Sequence, residues 1–167
     1  MTDTEQTTGR SVDTRSSGAA KSAVAARQEW LGVLAEARAA DLEALWRELP
    51  AKPDWRRLRG PECGLVMLRG RAGGDGQPFN LGEMTLTRCS VRLDSGRVGH
   101  GYVARQDAWQ AEVAAVLDAL LQEAATAEAV ADGVIVPLQR LKREQEGRAS
   151  RRAAATQVEF FTVARGS

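Results

Sequence analysis

His100 is the chain's single histidine and the only side chain whose ordinary pKa lies near neutrality. It stands between Gly99 and Gly101 on a stretch that reads as a strand, where the glycines leave its ring uncrowded along the strand. A general acid or base needs a positioned partner, and no Ser-His-Asp or Cys-His spacing supplies one. His100 is therefore the one candidate for a catalytic side chain, and it reads more readily as a structural or interface histidine. The second candidate is an anion site: a glycine-rich segment from Gly70 to Gly76, with Gly73 and Gly74 at its centre, flanked by Arg69, Arg71 and Arg88. Backbone amides of such a loop can cradle phosphate while guanidinium groups neutralise it. It lacks the Gly-Lys-Ser/Thr and following helix of a P-loop, and a plain connector is the simpler reading. Glu62, Glu83 and Glu159 fall on extended segments without the pairing of an acid/base dyad.

Metal chemistry is disfavoured by the same inventory. Cys63 and Cys89 have no CxxC spacing and only one histidine to join them, so zinc, haem-attachment and iron-sulfur sites lack ligands, and both read as small strand hydrophobes in a reducing cytosol. Lys+Arg 23 against Asp+Glu 22 gives a net charge of +1, which excludes a global field for nucleic acid or an acidic substrate. Only Lys21, Lys52 and Lys142 are lysines; the arginine and alanine excess fits a GC-rich genome. No run of apolar residues is long enough to span a membrane.

The elements that must position these groups follow from periodicity. Met1 to Ala20 is rich in Ser, Thr, Asp and Gly and reads as a disordered tail, leaving residues 21–167 as a single domain. Trp30, Leu31 and Leu34 mark a first helix from Ala23. Asp41 can cap a second, short one carrying Leu42, Leu45, Trp46 and Leu49, which ends at Pro50. The period then changes to two. Trp55 to Arg59 and Cys63 to Leu68 read as two strands, Phe79 to Leu93 as a longer one with a bulge near Arg88, and Asp94-Ser95-Gly96 as a tight turn into Val98 to Val103. Gln106 to Ala127 carries the strongest helical stripe, with Trp109 on it and Asp107 and Gln110 at capping-box spacing. Six acids from Asp107 to Asp132 and six bases from Arg140 to Arg152 read as two solvated faces, with a basic anion-binding face as the alternative for the second. Thr156 to Val163 alternates as a last strand.

The order predicts an α+β fold: a mostly antiparallel sheet of about four to five strands packed with an N-terminal helical hairpin and a long central helix. Its core looks thin. Hydrophobic residues make up 43% of the chain, but 28 of its 167 residues are alanine, and an alanine methyl contributes far less than a leucine at about 25 cal/mol per Å². Stability is thus expected to draw on surface buried against a partner.

Several strings also match a known family in order and spacing. Gly64 to Cys89, Arg97-Val98-Gly99-His100-Gly101-Tyr102-Val103, the Ala111-Glu112 helix start, Val158 to Gly166, and the Arg27-Gln28-Glu29-Trp30 and Val33-Leu34-Ala35 segments resemble PhnG, the G subunit family of the phosphonate carbon-phosphorus lyase system. The resemblance covers residues 25 to 166. It implies a cytoplasmic subunit of a core complex with PhnH, PhnI and PhnJ, to which PhnK and PhnL attach. It further implies a shared role with H, I and L in moving the 5-triphosphoribosyl group of ATP onto a phosphonate with loss of adenine. In that scheme PhnI is the nucleosidase and PhnJ carries the iron-sulfur cluster. This chain would bind no cofactor itself, ATP and phosphonate being substrates of the complex. The family pattern often places histidine where this chain has Gln110, which keeps the capping chemistry and cannot transfer protons as histidine would.

Overall fold

The computed structural model describes residues 14–50, 52–71, 73 and 75–155. Along them run α1 (Thr14–Glu36), α2 (Ala39–Glu48), β1 (Trp55–Arg71), β2 (Pro78–Leu93), β3 (Val98–Val103), α3 (Ala108–Leu121), α4 (Ala124–Val130), a π-helical turn at Ala131–Ile135, and α5 (Val136–Ala155). The class is the expected α+β with an antiparallel sheet, ordered β1-β2-β3. Among the described residues there are three strands where four or five were expected, for two reasons. The segments read separately at Trp55 and Cys63 are one strand, continued through irregularities near Leu58 and Pro61. The strand expected at Thr156 to Val163 lies outside the described residues.

α3 is the centre of the core. Its residues from Val113 to Leu121 are buried on every side, as expected of a helix that is apolar all round. One face lies on the sheet so closely that a Cβ at Gly99 would fall 1.9 Å from the Ala115 carbonyl oxygen, and one at Gly101 would fall 2.0 Å from that of Ala111. Ala111, Ala115 and Ala119 on the helix and two glycines on β3 are what permit this approach, so the small residues that make the core look thin let its layers come together. The glycines beside His100 therefore serve the helix on the opposite face, not the imidazole. Thr87, Cys89, Val91 and Leu93 supply the same core face from β2.

The caps differ in detail from the sequence reading. Asp107 accepts the Gln110 amide at 2.8 Å, but the Gln110 side chain does not return to close a capping box. It is fully buried and donates to the carbonyls of Leu34 and Ala37, satisfying two acceptors at the end of α1. Asp41 lies in the first turn of α2 and Arg38 is its N-cap, without a side-chain cap. The helix expected to continue to Ala127 breaks after Leu121, where the Thr126 hydroxyl donates to the Leu120 carbonyl at 2.7 Å. Helix α1 begins at Thr14, inside the segment read as a tail. Trp109, placed on the apolar stripe by its spacing, is 40% exposed.

Beyond its pairing with β3, which ends at Thr87, the β1-β2 hairpin continues as a ribbon from Glu62 to Arg71 and Pro78 to Leu86, with no third strand beside it among the described residues. Ten residues at about 3.3 Å each make an arm roughly 30 Å long.

Candidate functional site

One face of the sheet is left open by the described residues, and that face and the arm that grows from it hold the residues singled out by chemistry. The turn at Leu93 to Arg97 fixes their register: the Gly96 amide donates to the Leu93 carbonyl, the Leu93 amide to the Arg97 carbonyl, and Gly96 takes a positive φ of 90°. Ser90 and His100 become direct cross-strand partners. The His100 amide points away from β2 to the carboxylate of Asp118 at 2.9 Å, so the two residues form the close, non-hydrogen-bonded type of pair. Their side chains meet at 2.9 Å between Ser90 Oγ and His100 Nδ1. The Asp118 carboxylate bonds the backbone of His100 and leaves the ring untouched, so the three residues do not make a catalytic triad.

Asp118 is the polar centre of the fold. It is fully buried, against the expectation of a solvated acidic face. Arg27 grips it at 3.0 and 2.6 Å, Trp30 Nε1 donates at 2.9 Å, and Gln122 at 3.2 Å. One carboxylate thereby ties α1, α3 and the free edge of β3.

Of the proposed anion residues, Arg69 and Arg71 lie together and Arg88 lies apart from them. Arg88 pairs with Glu62 at 3.0 Å near the root of the arm, whereas Arg69 and Arg71 lie at its tip. Seven residues along the ribbon, at about 3.3 Å each, separate Glu62 from Arg69 by roughly 20 Å. Arg71 donates to the Gly76 carbonyl at 3.3 Å; Gly73 has a positive φ of 61°, a turn conformation, and Gly74 lies outside the described residues. Gly73 thus sits in the bend of a hairpin. Glu83 faces Met67 on the arm, and Glu159 lies outside the described residues. Cys63 is exposed; Cys89 is buried, which pushes its thiol pKa up. Among the described residues no group of His, Cys, Asp and Glu could hold a metal ion.

The arm is apolar on both faces. Leu65 and Met67 point to one side, Val66 and Leu68 to the other, with Met84 and Leu86 beside them. Among the described residues, half of the ten exposed large hydrophobic side chains lie on it: Leu65 at 66%, Leu81 at 63%, Met67, Leu68 and Phe79. Among the described residues nothing covers either face, which local periodicity could not show.

The root of the arm is fastened to the core by Glu112 of α3. It accepts from Trp55 Nε1 at 2.9 Å and from Arg57 at 2.9 and 2.7 Å. The Arg57 guanidinium holds the Glu112 carboxyl below its usual range, and Trp55 adds to this. No signal in the sequence paired these residues, since the contacts span more than fifty positions. A groove between α1, α2 and α5 is lined by Glu36, Arg38, Asp41, Lys142 and Glu146. Lys142 is already paired to Glu36 at 2.6 Å, which offsets two of those charges.

Comparison with known proteins places these features in a lineage. A family model described as phosphonate metabolism protein PhnG matches residues 25–166. A protein of Rhizobium meliloti (strain 1021), named as the alpha-D-ribose 1-methylphosphonate 5-triphosphate synthase subunit PhnG, is 44% identical over 146 residues. The match covers 86% of this chain and 91% of that one.

Proposed function

The chain belongs to the PhnG family of phosphonate metabolism proteins, and from that premise we propose that it is an assembly subunit of the machinery that joins the ribose 5-triphosphate of ATP to an alkylphosphonate. The observation that carries this reading is the arm. An isolated two-stranded ribbon is at best marginally stable in water, and this one exposes leucine, methionine and phenylalanine along its length. A partner subunit that covers both faces would stabilise it by apolar burial, at about 25 cal/mol per Å². The name of the Rhizobium protein as a synthase subunit supports such a partner.

In this reading the partners are PhnH, PhnI and PhnJ, with PhnK and PhnL attached, in the cytoplasm. The chain works with H, I and L in displacing adenine from ATP, holds no cofactor of its own, and has little activity alone. The Ser90–His100 pair, whose imidazole is not joined by the Asp118 carboxylate, supports placing the bond-making groups elsewhere in the assembly. The alternative, a stand-alone nucleotide module, would keep Arg69, Arg71 and the bend at Gly73 together at the arm tip and would leave Arg88, at the root, outside it.

Adenine release from ATP plus methylphosphonate, measured with H, I and L in the presence and absence of this chain, tests the proposal. Release is expected to require the chain. Equal release without it would overturn the reading.

A further inference from the structure

The open face of the sheet carries a concentration of positive charge that the assembly role does not use. β1 is irregular twice at its root, and the two irregularities act together. Arg56 lies opposite Arg92; after the extra residue at Leu58, Arg59 lies opposite Ser90; after a second at Gly60-Pro61, Glu62 lies opposite Arg88. Strict alternation would send Arg59 to the other face from Arg56. The bulges instead turn every third residue of β1 outward, which is the re-aiming that bulges accomplish. The ion pairs of Glu62 with Arg59 at 3.5 Å and Arg88 at 3.0 Å confirm that these side chains share a face. The helices that pack on the sheet, α3 and α1, occupy its other face and the β3 edge.

Four arginines thus stand beside one glutamate, in a chain whose net charge is +1. Arg56 and Arg92 are direct cross-strand neighbours of like charge, an arrangement that costs stability unless an anion lies between them. Arg92 carries a buried Nε with no hydrogen-bond partner among the described residues, and such a group retains its desolvation cost until an acceptor arrives. Ser90 and His100 adjoin on the next rung, about 7 Å along the strands, adding two hydrogen-bonding side chains.

We propose that this face, centred on Arg56 and Arg92 and extended by Arg59, Ser90 and His100, is a polyphosphate-binding site. Guanidinium pairs bind phosphate oxygens in bidentate fashion, and successive rungs suit an extended chain of phosphates better than a single ion. The proposal rests on the assembly reading only for the identity of the natural ligand, a 5-triphosphate such as the one in the Rhizobium subunit's name.

Titration calorimetry of the full chain and of the assembled complex with tripolyphosphate, with inorganic phosphate as the control, tests it. Tripolyphosphate is expected to bind, more tightly than phosphate and less tightly as salt is raised. Loss of one charge-assisted contact in Arg56→Gln or Arg92→Gln is expected to weaken binding about tenfold or more. Arg71→Gln at the arm tip should leave it unchanged. Thermal melts of the free variants show that they fold, and neither substitution should lower the midpoint, since each removes a repulsion. Absence of binding to both chain and complex would overturn the proposal, as would affinity indifferent to Arg56 and Arg92. Variants that release partner subunits while keeping tripolyphosphate affinity would assign the face to an acidic protein surface and also overturn it. The assembly role stands or falls separately, on adenine release when the chain is omitted.

Discussion

Asp118 shows how much of this molecule depends on a single side chain. A carboxylate with no exposure is tolerable only when its acceptor positions are filled, and here Arg27, Trp30, Gln122 and the His100 amide fill them. Asp118→Ala should destabilise the chain by about 3 kcal/mol, because Trp30 and the His100 amide lose a charged acceptor together. Asp118→Asn, which keeps the shape but not the charge, should cost less; denaturant unfolding of both variants reads the difference. The sequence counted Asp118 as one of six acids on a solvated run. The signal that could have found it was its neighbours, since Val113 to Leu121 is otherwise wholly apolar and leaves an acid no water to face. His100, Arg88 and Glu62 were legible as residues worth watching, but the pairing of His100 with Ser90 and of Arg88 with Glu62 was not, because register decides which side chains meet.

At the scale of elements, the turn at Ser95, the β2-β3 hairpin and the capped start of α3 were readable, since each rests on local chemistry. The continuous β1 was not, because glycine and proline at Gly60-Pro61 read as punctuation, whereas in the structure they lie in an irregular stretch of one strand. How β1 is held to α3 yields a pH dependence. Glu112 titrates below its ordinary value in the folded chain, mainly through its hydrogen bonds from Arg57. The folded state therefore binds fewer protons there than the unfolded one. Its contribution is fully present above the unfolded carboxylate pKa and is lost as pH falls through the depressed folded value. Thermal melts from neutral pH into the acid range should show Glu112→Gln less stable than the parent near neutrality, with the gap closing below the usual carboxylate range. A gap independent of pH would assign the loss to packing at Trp55.

For the whole molecule, the thin core has two separate explanations. Alanine on α3 and glycine on β3 bring helix and sheet into close contact, so part of what looked like missing bulk is close packing. The rest is real: large apolar side chains that could have enlarged the core extend along an arm roughly 30 Å long, at about 3.3 Å per residue. The chain's composition had pointed to burial against a partner, but it could not say where. Charging the arm tests this most directly. Leu65→Lys with Met67→Lys alters exposed positions only, so the melting midpoint of the free chain should stay close to that of the parent. Size-exclusion analysis after mixing with the other subunits should then find the doubly charged chain outside the complex and the parent within it. Full incorporation of the charged chain, with adenine release intact, would contradict the claim that the arm is the surface by which this subunit joins its assembly.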